Sequence, residues 1–231
     1  MKALNQGDLS TPNTQPLGVR SLAMALRAEI EKMILQGAMP MGERLNENHF
    51  AEKFQVSRGP VREAFRSLVE AGLVEFIPNR GVFVRQMDLG QAVQAYEVRA
   101  ALFSHAGRLA ATRRRKEEVA RMRGIVHDMN ESIEKRDGEG YYQLNLDLHA
   151  AVMTAARNER LAATYQGLVK ELHLFRVANL GRGDHLRASN IEHAAMVEAI
   201  AAGDEAAAYQ THLDHVMNAR ERVIEAHQKN T

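Results

Sequence analysis

From about residue 89 onward, the sequence repeats one pattern of apolar residues at helical spacing, interrupted by short breaks. The pattern predicts six helices, at about 89–113, 116–136, 139–156, 159–178, 185–202 and 204–228. The breaks between them fall at Thr112–Lys116, Asp137–Gly138, Asn158, Gly181–Asp184 and Gly203. Connections this short place consecutive helices side by side in opposite directions. We therefore expect an all-α antiparallel bundle without strands.

The part before the bundle combines three helices with two short β-rich runs. The predicted elements, in chain order, are helices at about 19–36, 46–54 and 57–71 and strands at 73–77 and 82–85. Asn46 is a good N-cap for the second helix. The tetrapeptide Pro78-Asn79-Arg80-Gly81 predicts a hairpin turn in which Gly81 takes a positive φ. Three helices followed by a hairpin indicate a winged helix-turn-helix.

The third of these helices begins with a run of arginines. Ser57 stands at the N-cap position, and its hydroxyl is expected to accept a hydrogen bond from the first turn. Arg58, Arg62 and Arg66 are four residues apart and share one face. Two interpretations are open for that face: a helix that enters the major groove of DNA, or a solvated charged surface. The neighbouring helix and hairpin favour the first.

These elements divide the chain into a short tail and two domains, and the fold class is mainly α. The predicted segments are a disordered tail at 1–17, a winged helix-turn-helix at 18–85, a linker at 86–90 and the helical bundle at 91–231. The tail lacks periodicity, and QMDLG at 86–90 is a break in composition.

Charge and composition limit the partners. The net charge is only +1, so binding to nucleic acid must depend on a few well-placed arginines, doubled by dimerisation. The sequence contains no cysteine, which excludes disulfides and thiolate zinc sites. It shows no apolar run of about 20 residues and no signal-peptide core. We expect a cytoplasmic protein with no membrane partner.

Polar residues on the inner faces of the bundle suggest a metal site. Asn145 and His149 are one helical turn apart, and His193 lies on an inward stripe of a later helix. His215 shares a face with Ala208, His212 and Ala219, but the last helix is apolar nearly all round, so its pattern does not define an inward face. Three histidines from three helices can converge and, with an oxygen donor, bind Zn²⁺ or Ni²⁺. The alternative is a set of core histidines that are hydrogen-bonded separately.

Arg99 interrupts an otherwise apolar helix face. A buried guanidinium needs an anionic partner, because an unpaired buried charge is very costly. The partner is either an Asp or Glu of the protein, in a structural salt bridge, or the carboxylate of a bound ligand.

Two other classes of function were weighed against DNA binding. A metal-dependent enzyme is disfavoured because the sequence has no HExxH motif, no Gly-rich phosphate loop and no nucleophile elbow. A helical module whose winged domain binds protein is disfavoured by the arginines at the start of the third helix.

The run GERLNENHFAEKFQVSRGPVREAFRSLVEAGLVEFIPNRGVFV resembles the DNA-binding domain of the GntR family of bacterial transcription regulators. The bundle resembles the FCD effector domain of the FadR subfamily, through YEVRAALFSHAGRLAA, NLDLHAAVMTAARNERL and EHAAMVEAIAAGDEAAAYQTHLDH. Six bundle helices rather than seven make it more similar to the VanR-type branch.

The resemblance implies a homodimeric repressor that binds a pseudo-palindromic operator in double-stranded DNA and responds to a small metabolite in the bundle. It assigns the DNA contacts to Asn48, Ser57, Arg58, Gly59, Arg62, Arg80 and Gly81. Among these, Arg58 is expected to read a base, whereas Arg62 and the Ser57 hydroxyl are suited to phosphate contacts.

The resemblance also assigns a ligand set in the bundle. Many FCD domains bind a divalent metal through an aspartate and three histidines, which here correspond to Asn145, His149, His193 and His215. Because Asn145 replaces the aspartate, three outcomes are open: a weaker metal, a metal completed by an oxygen of the effector, or no metal. The family's pocket arginine corresponds to Arg99, so an organic acid or another anion is the expected effector, with Tyr96 and Asn190 beside it.

Overall fold

The computed structural model describes residues 17–179 and 185–230. The predicted break at 181–184 and residues 1–16 of the predicted tail lie outside the described residues, while Leu17 begins the first helix. The elements before the bundle are α1 (Leu17–Leu35), β1 (Arg44–Leu45), α2 (Glu47–Lys53), α3 (Arg58–Glu70), β2 (Val74–Ile77) and β3 (Gly81–Val84). The bundle consists of α4 (Leu89–Arg113), α5 (Lys116–Glu134), α6 (Gly138–Ala156), α7 (Glu159–Asn179), α8 (Leu186–Ala202) and α9 (Glu205–Asn230).

The first part is a winged helix-turn-helix, as predicted. The apolar stripe of α1 and the inner faces of α2 and α3 share one core, in which the rings of Phe50 and Phe65 meet edge to face at 5.5 Å. The strands form an antiparallel sheet in the order β1-β3-β2. Sequence reasoning missed β1, because two residues are too few to show alternation.

The wing turn has the backbone that its glycine predicted. Gly81 has a φ of 109°, and Asn79 is also left-handed at 62°. The Arg80 amide donates to the Ile77 carbonyl at 3.0 Å and closes the turn. The Arg80 guanidinium then lies over the Phe83 ring, 5.4 Å from its centroid.

The two predicted N-caps behave differently. The Asn46 side chain accepts from the amides of Asn48 and His49 at 2.9 and 3.4 Å, as expected. Ser57 occupies the N-cap of α3, but its hydroxyl makes no capping hydrogen bond, so that prediction was wrong. Pro60 at the third helical position has no N–H to donate, which leaves the amide of Gly59 as the one remaining donor for such a cap.

The connection between the two parts is short. Helix α4 begins at Leu89, as the predicted helix at about 89–113 had it, so the last two residues of the predicted linker at 86–90 are helical. Asp88 and Gln91 form a reciprocal capping box, with distances of 2.7 and 3.1 Å. Met87 is buried in the core of the bundle, so the connection is held in place at the end next to α4.

In the bundle, α4 packs against α6, α7, α8 and α9. At Gly107 the α4 backbone lies directly against α9, because a Cβ atom there would be 2.5 Å from Nδ1 of His212. None of the described helices is long and apolar enough to cross a membrane.

Helix α7 joins the bundle to the winged part through polar contacts. Lys170 pairs with Glu31 of α1 at 2.6 Å, and Glu171 pairs with Arg85 at 3.3 Å. Nε2 of His173 lies 2.8 Å from the Leu35 carbonyl, at the end of α1. The other nitrogen of this ring is hydrogen-bonded to the Tyr142 hydroxyl on α6.

Candidate functional site

The exposed start of α3 carries the predicted arginine face, but its arginines are already paired. Glu47, the first residue of α2, accepts from Nη2 of Arg58 at 3.2 Å and from Nη2 and Nε of Arg62 at 3.0 and 3.2 Å. Arg66 pairs with Glu63 at 2.9 Å instead. The hydrogen bond from Arg62, aided by Arg58, lowers the pKa of Glu47. Two arginines of α3, Arg58 and Arg62, therefore share the carboxylate of Glu47.

The remaining residues assigned to DNA contact lie on the surface. Asn48, Ser57, Gly59 and Arg80 are exposed, and Gly81 is half-buried in the wing turn. Apart from its chain neighbours and the backbone of its own helix, no described residue lies within 4 Å of the position that a Cβ would take on Gly59, so the described structure leaves space in front of α3.

The structure brings together the three histidines predicted to converge. His149 on α6, His193 on α8 and His215 on α9 each offer a ring nitrogen, and these atoms all lie within 4.8 Å of one another. All three side chains are buried. Nε2 of His149 and both ring nitrogens of His193 have no hydrogen-bond partner among the described residues. The alternative of separately hydrogen-bonded core histidines therefore does not hold for His193, whereas His149 is hydrogen-bonded at Nδ1 by Arg99 and Tyr165.

The cluster is kept neutral by its surroundings. Burial lowers the pKa of all three rings, and the positive charge of nearby Arg99 lowers each further. A neutral imidazole has one nitrogen with a free lone pair, which is the form that ligates metals.

A carboxylate behind the cluster orients one of the rings. Nδ1 of His215 lies 2.8 Å from Glu192, which also accepts two hydrogen bonds from Arg222 at 3.0 and 3.2 Å and one from Asn218 at 3.0 Å. Partial burial opposes the charged form of Glu192, yet the hydrogen bonds from His215 and Arg222 hold its pKa at about 2. The proton of His215 is thus held on Nδ1, so Nε2 keeps its lone pair.

This donor set fits a divalent ion such as Zn²⁺ or Ni²⁺. It supplies three convergent imidazoles with a carboxylate behind one of them, as metal sites in proteins commonly have. Asn145 is buried one turn before His149, where its amide oxygen is a neutral and weaker donor than a carboxylate.

Arg99 is buried beside this cluster, and none of the described acidic residues pairs with it. Its Nε and Nη2 donate to the Tyr165 hydroxyl at 3.2 and 3.1 Å, and Nη2 lies 3.1 Å from Nδ1 of His149. The guanidinium also lies 5.8 and 5.5 Å from the ring centroids of Tyr96 and Tyr165. Among the described residues no Asp or Glu pairs with it. The structural salt bridge, one of the two alternatives for Arg99, is therefore not formed among the described residues.

The cavity next to Arg99 is small. It is lined by Arg99, Asn145, Leu146, His149, Val169 and Leu172. Its volume of about 10 Å³ is the space of about one water molecule. A metabolite needs side chains to move apart there.

The two other predicted effector residues do not line this cavity. The Arg99 guanidinium lies over the Tyr96 ring, 5.8 Å from its centroid. Asn190 turns toward α5, where its amide donates to the Val126 carbonyl at 3.2 Å and to Asn130 at 2.7 Å.

Sequence reasoning missed Glu47, Tyr165 and Glu192. Glu47 offered a weak signal, since it directly follows a predicted N-cap and carries a negative charge near the start of the arginine helix. Tyr165 and Glu192 contact partners on other helices, at sequence separations of 16 to 66 residues. Nothing local in the sequence indicates such contacts.

Comparison with known proteins finds a family match for each of the two parts of the chain. Residues 19–84 match the family described as bacterial regulatory proteins, gntR family, and residues 94–218 match the FCD domain. A "Probable D-xylose utilization operon transcriptional repressor" of Paenarthrobacter nicotinovorans is 32% identical over 85% of this chain and 86% of its own. The Nta operon transcriptional regulator of Aminobacter aminovorans is 30% identical over 82% of this chain and 92% of its own.

A solved structure supports the same fold. E. coli McbR/YncC superimposes with a TM-score of 0.75 at 19% identity, over 91% of this chain and 99% of that one. Together, the winged domain, the six-helix bundle and these matches show that the chain belongs to the GntR family of bacterial transcription regulators, with a C-terminal FCD domain, and is not an enzyme.

Proposed function

We propose that this regulator is a homodimeric repressor whose operator binding is controlled by a carboxylate or other anionic metabolite bound beside a divalent metal. The observation that carries the proposal is Arg99, a buried cation without an acidic partner among the described residues, in contact with one of three convergent histidines. A bound anion supplies the missing charge, and a bidentate carboxylate matches the guanidinium fork.

The DNA-binding half of the proposal rests on α3. Arg58 lies at the exposed N-terminal end of a helix whose opposite face is buried against α1 and α2. An arginine that pairs with guanine in the major groove contributes about 1–3 kcal/mol of discrimination. We assign Arg58 to base reading, and Arg62, Ser57, Asn48 and Gly59 with the wing residues Arg80 and Gly81 to the surrounding contacts.

Two arguments support a dimer and a repressor. The net charge of +1 gives one copy little general attraction to DNA, so two copies on a pseudo-palindromic site are needed for firm binding. A relative with 32% identity is described as an operon repressor, which suggests the same sign of regulation here.

For the metal, His149, His193 and His215 are the proposed ligands, with Asn145 as a fourth, neutral donor. When bound, the ion supplies a positive charge that attracts an anionic ligand. The protein's own groups hold His215 through Glu192 and place Arg99 next to His149.

The test is a thermal-shift screen of organic acids against wild-type protein and an Arg99→Gln variant, each with and without a chelator. Wild-type protein is expected to be stabilised by at least one acid, because a ligand that binds only the folded state raises the melting temperature. Arg99→Gln should lose that shift, while Arg108→Gln, which alters an exposed arginine of the same helix, should keep it. An acid that stabilises the wild type and Arg99→Gln equally contradicts the assigned role of Arg99.

A further inference from the structure

Three residues from three helices meet at one edge of the histidine cluster, and one of them is His149 of the cluster itself. The hydroxyl of Tyr165 lies 2.9 Å from Nδ1 of His149, and Nη2 of Arg99 lies 3.1 Å from the same nitrogen. Arg99 also donates to the Tyr165 oxygen. His149 is thus in contact with a cation at Nδ1, while its Nε2 is buried without a hydrogen-bond partner among the described residues.

These contacts determine where the His149 proton is. A guanidinium can only donate hydrogen bonds, so Nδ1 of His149 must accept from Arg99. A ring nitrogen that accepts a hydrogen bond carries no proton, so the imidazole is in its neutral form with one N–H. Its single proton is therefore on Nε2, which is buried without a hydrogen-bond partner among the described residues.

That arrangement is incompatible with ligation by Nε2. A ligating nitrogen needs its lone pair, so the proton of a ligating His149 has to be on Nδ1. Nδ1–H and the Arg99 N–H would then point at each other as two donors. The Tyr165 hydroxyl can change from donor to acceptor by rotation, but Arg99 cannot.

We propose that Arg99 and a metal ion compete for His149, so that metal binding transfers the ring proton from Nε2 to Nδ1 and releases Nη2 of Arg99 for an anionic ligand. The ring stays neutral throughout, since the proton leaving Nε2 is balanced by one arriving at Nδ1. In the ligating form Nδ1–H donates to the Tyr165 oxygen, which makes Tyr165 the positioning residue for His149. This inference rests on the proposed function and adds an order to it: metal first, then the anion.

The Nε2–H of His149 is buried without an acceptor among the described residues. A buried donor without an acceptor is unfavourable, and the contact between Arg99 and Nδ1 offsets part of that penalty. Loss of the Nε2 proton on ligation removes this penalty.

The test is the tautomer of His149, read from long-range ¹H–¹⁵N spectra of the full-length protein stripped with chelator and then loaded with Zn²⁺. The ring signals are assigned by comparison with His149→Gln. We expect the proton on Nε2 before loading and on Nδ1 after it, together with a displaced Arg99 Nε–H signal, assigned with Arg99→Lys. A proton already on Nδ1 in the stripped protein overturns the inference, and so does Zn²⁺ binding that leaves the Arg99 signal unchanged.

Calorimetric titration with Zn²⁺ distinguishes a failure of the proposed metal site from a failure of the competition between Arg99 and the metal. If wild-type protein shows no binding, the metal in the proposed function fails and the competition fails with it. If Zn²⁺ binds, Tyr165→Phe should weaken it by about 10- to 100-fold, because Nδ1–H loses its acceptor. The control is Tyr141→Phe, which removes a phenol that donates to the Leu186 carbonyl, and it should change the affinity less than 3-fold, about the scatter of such measurements. Equal affinities for the two variants contradict the positioning role of Tyr165.

Discussion

Gly107 and His212 show how closely the bundle is packed around its polar centre. His212 is completely buried, its Nδ1 lies 2.6 Å from the Ala208 carbonyl, and its ring meets Phe103 edge to face. The α4 backbone reaches this ring only because residue 107 has no side chain. Packing between α4 and α9 therefore depends on a residue that is unfavourable in an isolated helix.

Two glycine-to-alanine substitutions should have opposite effects for this reason. Gly107→Ala should lower the free energy of unfolding by about 1–3 kcal/mol, because overpacking outweighs the gain of up to about 1 kcal/mol in helix propensity. Gly124→Ala is the matched control in α5, where no atom lies within 4 Å of an added Cβ. It should stabilise the protein by up to about 1 kcal/mol. Urea unfolding measures both, and a stabilised Gly107→Ala contradicts the close packing.

Buried neutral histidines also predict how stability depends on pH. Burial lowers the pKa of His212 to about 3, so the folded state binds fewer protons than the unfolded state below about pH 6.5. The free energy of unfolding should therefore fall as the pH decreases from 7 to 5.5, and His212 alone accounts for about 1 kcal/mol of that fall.

The measurement is urea unfolding at both pH values in the presence of chelator. His212→Gln should reduce the pH-dependent loss by about 1 kcal/mol, whereas His127→Gln, at an exposed position on α5, should retain the wild-type loss. A loss that is identical in all three proteins excludes His212 as its source.

At the scale of elements, α2 orients the arginines at the start of α3 through Glu47. Glu47 is only a quarter exposed and lies within 3.2 Å of both Arg58 and Arg62, which are more than half exposed. Exposed ion pairs contribute little stability, about 0–1 kcal/mol, so these pairs chiefly orient the arginines and neutralise one of their charges. DNA has to compete with Glu47 for them.

Glu47→Gln should therefore strengthen binding to non-specific DNA and make it more dependent on salt. Losing one negative charge frees about one more cation for phosphate, so the slope of log K against log salt should steepen by about one. Glu63→Gln, which frees Arg66 farther along α3, is the control with a smaller expected change. Fluorescence anisotropy on duplex DNA measures the slopes, and an unchanged slope for Glu47→Gln contradicts the competition.

Particular elements show what the sequence could predict. The Asn46 cap, the positive φ of Gly81 and the six bundle helices follow from local signals, and the structure agrees with all of them. The missing Ser57 cap was also local, because Pro60 in the same motif removes a donor. By contrast, β1 is paired only through its contact with β3, and its two residues carry no pattern of their own.

The candidate site also contains features that have a local sequence signal and features that do not. The inward stripes indicated that His149 and His193 face the bundle interior, whereas convergence with His215 was predicted from the family resemblance, and the structure brings all three together. The partners that decide their chemistry could not be predicted, since Tyr165 and Glu192 come from other turns of other helices. Such contacts depend on helix packing angles, which periodicity does not specify.

For the whole molecule, α7 connects the proposed effector site around Arg99 to the winged helix-turn-helix. It contributes Tyr165 to the site around Arg99, and farther along it carries Lys170, Glu171 and His173, which contact the winged part. A ligand that moves Arg99 and Tyr165 therefore acts on a helix that also holds the end of α1. Operator and effector binding are expected to be coupled through this helix, with equal and reciprocal changes in affinity.

The central claim is that the bundle binds a metal ion through its three convergent histidines. Elemental analysis of purified protein, loaded with Zn²⁺ and freed of excess metal, tests it most directly. The wild type is expected to retain about one ion per chain, and a His149→Ala and His193→Ala double variant should retain almost none, because one imidazole and Asn145 cannot hold it. His127→Ala with His105→Ala removes two histidines outside the cluster and controls for loss of surface sites. Equal metal contents in the wild type and in the His149 and His193 double variant would contradict the account.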